Sequence, residues 1–379
     1  MKVGLNATSL LSPLTGIGQY TYQLAKGLQK FKDLELDMFY ANGWTHEVRD
    51  RPINRIKTIK FVLKTFIPKT YEVSRLIQQY HFNERSFKKV GGIYHEPNFL
   101  AFNYAGPLVL TVHDLSWIRY PEMHPADRVR NMNKHFQRSM ERASMIITDS
   151  QAIKHEIMDM FGVAETRIKS IPLGVETLFR PLSEAESAPV LQLHGLSYQK
   201  YILAVGTLEP RKNLSAVLLA YMQLPAHVRK YYPLVLVGMN GWHTSALEKQ
   251  MAPLVASGEI RQLGYLERED LAVVIAGAVT LVYPSIYEGF GLPPLEAMTC
   301  GVPVIASNVS SLPEVVGDSG LLVNPHDIDD IAKAMETMIT APDIRAASAQ
   351  KAFARSAEFS WDRCVDQTMD VYRQVESSM

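Results

Sequence analysis

The sequence predicts an α/β chain of two doubly wound domains, each built on a parallel sheet. Three observations carry that prediction. Short β-branched runs alternate with helical patterns along the whole chain, as βαβ units require. The alternation pauses once, over residues 181–199, where two prolines and several acids show no clear period, and then restarts. The length of 379 residues corresponds to two or three domains at roughly 150 residues each. A hydrophobic fraction of 47% with 9% aromatics supplies ample core and excludes wholesale disorder.

In the first half the expected strands are 3–6, 36–40, 92–95, 108–112, 145–148 and 168–172. The helices expected between them include 17–30, 127–141 and 151–161, the last capped by Ser150. After residues 181–199, which read as a linker, the expected strands are 201–206, 234–238, 260–264, 279–283, 304–306 and 320–323. The longest nearly apolar run, 271–283, is closed by Pro284. It is too short to span a bilayer and reads as a buried helix end entering a strand. The start, MKVGLNATSL, lacks the long apolar region of a secretory signal. Two cysteines, Cys300 and Cys364, make no disulfide framework and fit a reducing compartment.

Charge divides along the same boundary. Lys+Arg and Asp+Glu are 39 each, which argues against a globally basic nucleic-acid binder. Residues 1–180 nevertheless hold 25 bases against 17 acids, and the remainder 14 against 22. The neutral total is a +8 half joined to a −8 half. Residues 49–89 carry 11 bases and three acids. Within them, residues 56–69 interleave lysines with large apolar side chains. That composition suits either an anionic membrane surface or an ordinary solvated face.

Four clusters can carry chemistry. Thr15-Gly16-Ile17-Gly18-Gln19-Tyr20 follows the first strand at the head of a helix, where glycines let backbone N–H groups approach an anion. A dinucleotide fingerprint needs glycine where Thr21 stands and an acid after the second strand, so a dehydrogenase is disfavoured. His113-Asp114 ends an expected strand, where open sheets bind ligands, and can serve as proton shuttle or polar anchor. Arg211 and Lys212 follow Gly206-Thr207 at a strand end and make a cationic clamp for a diphosphate. The most specific cluster runs from Tyr287 to Met298 and places Glu288 and Glu296 eight positions apart at a glycine- and proline-rich junction. There Gly289 and Gly291 admit a ligand, and the N–H groups of Phe290, Gly291 and Leu292 face an anion. Glu288 can accept bonds from sugar hydroxyls, and Glu296 can hold a ribose diol. No Cys/His spacing, Asp-x-Asp or His-x-x-x-His pair suggests a metal site.

With Glu288 and Glu296 as an E-x7-E motif, Gly206-Thr207 and Pro210-Arg211-Lys212-Asn213 upstream, and Gly16-Ile17-Gly18 and His113 in the first half, nearly the whole chain resembles the retaining glycosyltransferases of family 4. The resemblance implies the GT-B fold, two Rossmann-like domains facing across a cleft. Residues 1–180 would bind the acceptor and 200–359 the nucleotide sugar, while 360–379 would form a helix crossing back onto the first domain. It also implies that Arg211 and Lys212 neutralise the diphosphate, that Glu288 contacts the donor sugar and Glu296 the ribose, and that His113 lies beside the reacting sugar. Gly16, near the diphosphate, would join Gly206, Thr207, Gly289, Phe290, Gly291 and Leu292 in binding the donor. The acceptor side is expected at Gly18, Tyr20, His95, Asn98 and Asp114.

The pattern is most similar to bacterial mannosyltransferases of O-antigen and related polysaccharides. It implies GDP-mannose as donor, a polyprenyl-diphosphate-linked glycan as acceptor, no cofactor or metal, and no nucleic acid. The expected location is the cytoplasmic face of the inner membrane, held peripherally on anionic lipid and alongside other polysaccharide-assembly glycosyltransferases. A UDP-sugar-dependent glucosyl or N-acetylglucosaminyl transferase, a nucleotide-sugar epimerase or hydrolase, and a non-catalytic binding protein are the alternatives.

Overall fold

The computed structural model describes residues 1–12, 14–49, 70–84 and 92–379. The segment 56–69, read from sequence as basic and apolar, lies outside them. The first domain holds a seven-stranded sheet of β1 (Lys2–Asn6), β2 (Glu35–Phe39), β3 (Trp44–Thr45), β4 (Ile93–Glu96), β5 (Leu108–Val112), β6 (Met145–Thr148) and β7 (Ile168–Ser170). The second holds β8 (Ile202–Val205), β9 (Leu234–Val237), β10 (Ile260–Gly264), β11 (Thr280–Tyr283), β12 (Val304–Ser307) and β13 (Leu321–Val323). Strand order is β3-β2-β1-β4-β5-β6-β7 in one sheet and β10-β9-β8-β11-β12-β13 in the other. All pairings are parallel except β2 with β3.

Both sheets are therefore doubly wound, as expected from sequence. Helices cover both faces, which is why central strands such as Leu-Val-Leu-Thr-Val of β5 are buried at every position. Chain direction across each sheet reverses between β1 and β4 and between β8 and β11, and ligands bind outside the carboxyl ends of the strands at such reversals.

Two elements differ from the sequence reading. The edge strand β3 escapes a periodicity argument because it is only two residues long. The linker at 181–199 is a correction: it contains the helix Glu184–Leu193, whose Ser183 and Glu186 form a capping box. That helix carries Pro189 in its interior and has almost no amphipathic stripe, yet it buries Leu191 in the core around the helix Arg268–Ala276. It belongs to the second domain.

The chain passes between domains twice, and the two passages touch. Val175 pairs with Ser360 in an isolated parallel bridge, and Gly174 packs so closely on Trp361 that a side chain has no room. The last helix, Trp361–Ser377, is capped by Ser360, whose hydroxyl accepts from Arg363 N–H at 3.2 Å. It lies along the helix Gly16–Leu28 of the first domain, with Gly27 against Val365 and the Lys30 ammonium 2.9 Å from Asp362. Among the described residues no helix is long and apolar enough to cross a membrane.

Candidate active site

The two reversal points face each other across an interdomain cleft of about 350 Å³. On the second-domain side, Gly206 follows β8 and the chain forms a tight turn, Pro210–Lys212. Asn213 holds that turn from a left-handed conformation, φ 57°, donating to the carbonyls of Pro284 (3.0 Å) and Pro325 (2.7 Å). The turn aims Arg211 and Lys212 into the cleft. Arg211 donates to Glu288 Oε2 (2.7 Å), Glu209 Oε1 (2.7 Å) and the Tyr287 carbonyl (2.6 Å). Lys212 donates to Glu288 Oε1 (2.7 Å) and to the Tyr283 hydroxyl (2.5 Å).

Each oxygen of Glu288 thus meets one cation. Burial alone would raise its pKa, but attraction from Arg211 and Lys212 outweighs that and holds it at about 2. Lys212 sits below its ordinary value, because burial and the neighbouring Arg211 disfavour its charge more than Glu288 favours it. The backbone of the loop is equally constrained: Glu288 N–H donates to Ser310 Oγ at 3.1 Å, and Ser311 donates to the Glu288 carbonyl at 2.9 Å.

Beyond the glycines, the helix Leu292–Thr299 carries Glu296. The expected N–H donors Phe290, Gly291 and Leu292 lie at the start of this helix, ahead of Pro293 and Pro294, which carry no N–H. Glu296 Oε1 accepts from Arg268 Nη1 at 2.7 Å, and Arg268 Nε donates to Glu176 at 2.9 Å. Burial raises the Glu296 pKa despite Arg268. The Phe179 ring lies 4.5 Å beneath the guanidinium.

The first-domain wall is built on β5 and β6. His113 Nδ1 is 2.7 Å from Asp149 Oδ2, and Nε2 is 2.8 Å from the Pro97 carbonyl. Both ring nitrogens face acceptors. Burial opposes its charge, but Asp149 and the Pro97 carbonyl win, and the pKa is raised. The partner of His113 is Asp149 rather than the neighbouring Asp114, and the two contacts hold the imidazole in this wall as a polar anchor. Asp114 accepts from Ser116 N–H at 2.9 Å and shapes the adjoining turn.

Of the residues chosen from sequence, Gly16, His113, Asp114, Gly206, Thr207, Arg211, Lys212, Glu288, Gly289, Phe290, Gly291, Leu292 and Glu296 line the cleft. Four do not, and they correct the acceptor-side expectation. His95 is fully buried, with Nδ1 2.6 Å from Tyr372 Oη and Nε2 2.8 Å from Thr111 Oγ1. Tyr20 is buried behind His113, its ring edge-on at 5.0 Å. Gly18 packs on Leu14 inside the helix start, and Asn98 is exposed outside the cleft.

Sequence reasoning missed Asp149, Glu209, Arg268, His124 and Arg128, all of which line the cleft. Among the described residues, buried Arg211 Nε, Asp149 Oδ1 and both nitrogens of His124 have no hydrogen-bond partner. All belong to cleft-lining side chains, so the cavity is equipped for a polar ligand.

The walls meet at several points. Ser150 donates to the Gly289 carbonyl (2.8 Å), Leu115 N–H to Tyr287 Oη (3.0 Å), and Trp242 Nε1 to the Met123 carbonyl (2.6 Å). The Glu314 carboxylate accepts from the N–H groups of Gln151 (2.8 Å) and Ala152 (2.6 Å), capping a first-domain helix from the second domain. Gly289 backs directly onto His113, where a Cβ would stand 1.8 Å from the carbonyl oxygen.

Comparison with known proteins agrees with this geometry. Residues 14–178 match the family described as Glycosyltransferase Family 4, and residues 194–355 that described as Glycosyl transferases group 1. The O-antigen chain mannosyltransferase B of Escherichia coli is 38% identical, with 98% of this chain and 100% of that protein covered. The serotype-specific mannosyltransferase WbdA of Escherichia coli is 34% identical over 69% of this chain but only 32% of its own length. In fold, a sucrose-phosphate synthase from Thermosynechococcus elongatus superposes with TM-score 0.77 at 21% identity, covering all of both chains. Anabaena HepE in complex with UDP and glucose does so with TM-score 0.73 at 20% identity, covering 98% and 99%. Two doubly wound sheets, a cleft at their reversal points and matching models on both halves place this chain among the GT-B glycosyltransferases of family 4.

Proposed function

We propose that this glycosyltransferase moves mannose from GDP-mannose onto a lipid-linked glycan of a surface polysaccharide, with retention at the anomeric carbon. The observation that carries the reading is the Arg211/Lys212 pair held at a strand end by Glu209 and Glu288. The mannosyl assignment draws on the mannosyltransferase name of its full-length relative.

In the proposed reaction the two cations exchange carboxylate oxygens for diphosphate oxygens. The C1–oxygen bond of the sugar breaks, its electron pair leaves on the diphosphate, and Arg211 and Lys212 stabilise that growing charge. The acceptor hydroxyl attacks C1 from the same face and its proton passes to the departing phosphate oxygen. His113 does not take that proton, since both of its nitrogens are engaged; it orients the wall beside the sugar. Glu296, tied to Arg268, faces the ribose. Metal independence is part of the proposal, with Arg211 and Lys212 supplying the countercharge.

A donor panel tests it. GDP-mannose should protect against thermal unfolding by RT ln(1 + [L]/Kd), and the product linkage, read by NMR, should be α. Protection by a UDP-sugar but not by GDP-mannose would overturn the mannosyl reading in favour of the second one, which the UDP and glucose complex of HepE favours. Turnover unchanged by a chelator is the expected result for metal. The proposed location is the cytoplasmic face of the inner membrane, where a lipid-borne acceptor would be reached.

A further inference from the structure

Beyond His113, the first-domain wall of the cleft carries Asp114, His124 and Arg128. His124 stands between the turn Pro121–Met123 and the helix Ala126–Arg142. A residue before proline is driven to extended backbone, and His124, ahead of Pro125, takes φ −121° and ψ 154°. Its N–H donates to the Pro121 carbonyl at 3.2 Å, so the backbone on both sides fixes where the imidazole stands. Trp242 of the second domain closes over this corner. Its Nε1 donates to the Met123 carbonyl at 2.6 Å, its ring centroid lies 5.9 Å from that of His124, and the Arg128 guanidinium lies 5.6 Å from it.

The imidazole is only 5% exposed, yet neither of its nitrogens has a hydrogen-bond partner. Such a group costs stability that an apolar side chain of the same shape would not. Burial, helped by Arg128 and Arg211, holds its pKa below the ordinary histidine value against Asp114 and Glu209. The ring is therefore neutral at pH 7, with one donor and one acceptor unspent. A sugar hydroxyl has the same two capacities, whereas a phosphate would use only the donor. Asp114 spends Oδ1 on the Ser116 N–H, which leaves Oδ2 for a second hydroxyl. In the reading given above, the donor's diphosphate, sugar and ribose fall to Arg211, Lys212, Glu288 and Glu296, all on the opposite wall.

We propose that His124, with Asp114 and Arg128 beside it, binds a hydroxyl-bearing sugar of the acceptor glycan, in a subsite that Trp242 completes from the second domain. The proposal deepens, and rests on, the glycosyl-transfer reading. It replaces the buried His95 and Tyr20 on the acceptor side with side chains that face the cleft. Because Trp242 belongs to the other domain, the subsite is whole only when the cleft is closed.

The test is retention of the full chain on an array of mannose- and N-acetylglucosamine-terminated glycans, with GDP or UDP present, whichever raises the parent's melting midpoint. His124→Phe keeps a ring and removes its polar atoms. It should weaken retention about tenfold, the effect of the hydrogen bonds withdrawn, while the nucleotide's Kd by calorimetry stays at the parent's value. Without ligand it should melt no lower than the parent, because it removes a buried unpaired group rather than a bond; a structural role predicts a lower midpoint. His124→Asn and His124→Gln each place an amide near one ring nitrogen, and at least one of them should restore retention. A parent that retains no glycan, a His124→Phe variant that retains them like the parent or melts lower, or failure of both amides would overturn the proposal. Displacement of the glycans by inorganic pyrophosphate would overturn it in favour of a phosphate site. GDP-mannose that fails to protect the parent from unfolding would count against the donor assignment alone and leave the glycan result standing.

Discussion

Gly289→Ala is the sharpest probe of the cleft. The residue does not occupy the left-handed region that excludes side chains, so alanine suits the local backbone. The obstacle is across the cleft. An alanine Cβ would sit 1.8 Å from the His113 carbonyl oxygen, whereas ordinary contact begins at 3.4 Å. The walls must separate by about 1.6 Å, or the β5 end must shift by that amount. A misplacement of about 1 Å at reacting groups costs on the order of 100-fold in rate, so kcat should fall at least 100-fold. Thermal midpoints should move little, because the contact lies between domains rather than inside a core. The assay is steady-state transfer to acceptor, paired with a melting curve and donor affinity by calorimetry. A variant with the parent's kcat would show that the active form does not bring Gly289 onto His113, and would refute the closed geometry as the working one.

Three further outcomes are expected. Glu96 is buried at the end of β4, and that burial raises its pKa to about 7 against hydrogen bonds from Tyr94 and Asn6. Stability should therefore drop by about 3 kcal/mol as pH rises from 4.5 to 7, and that slope should be missing from urea unfolding of Glu96→Gln; parallel curves would contradict it. Glu314→Ala removes two charged bonds and a favourable helix-end charge, worth about 2 kcal/mol, so the open form should gain about thirtyfold, visible as a larger radius of gyration in X-ray scattering. Tyr372→Phe leaves buried His95 Nδ1 unpaired and should cost about 1–3 kcal/mol. Burial holds His95 near a pKa of 3, so that loss should be the same at pH 5.5 and pH 8; a loss confined to one pH would contradict the assignment.

What the sequence made legible is local in origin. Glu288 and Glu296 were readable because one strand-to-helix junction carries both, with glycines and prolines marking the turn between them. Arg211 and Lys212 were readable for the same reason. Arg268 was not: it opens a helix 20 residues before Glu288, and only the fold brings it to Glu296 and Glu176. Asp149 follows β6 and meets His113, which follows β5, because the two strands are adjacent, a pairing that the neighbouring Asp114 disguised in one dimension. His95 looked like a site residue by its place at a strand end and Tyr20 by its place at a glycine-rich helix head, yet their side chains point into the interior. Helix Glu184–Leu193 was hidden by Pro189 and by the lack of a stripe, although Ser183 followed by Glu186 was a capping-box signal in plain view.

The last helix sets the order in which this protein can be completed. Chains emerge from the ribosome amino end first, and domains generally fold as units in that order. Here the face of helix Gly16–Leu28 that carries Gly27, and the buried ring of His95, are covered by Val365 and Tyr372. The first domain is translated first but finished last, after the whole second domain has been made. A ribosome stopped anywhere before Trp361 releases a first domain with an open seam. The same threading means that a single cut in the first passage leaves the two pieces held together by the last helix, which the second piece carries onto the first domain.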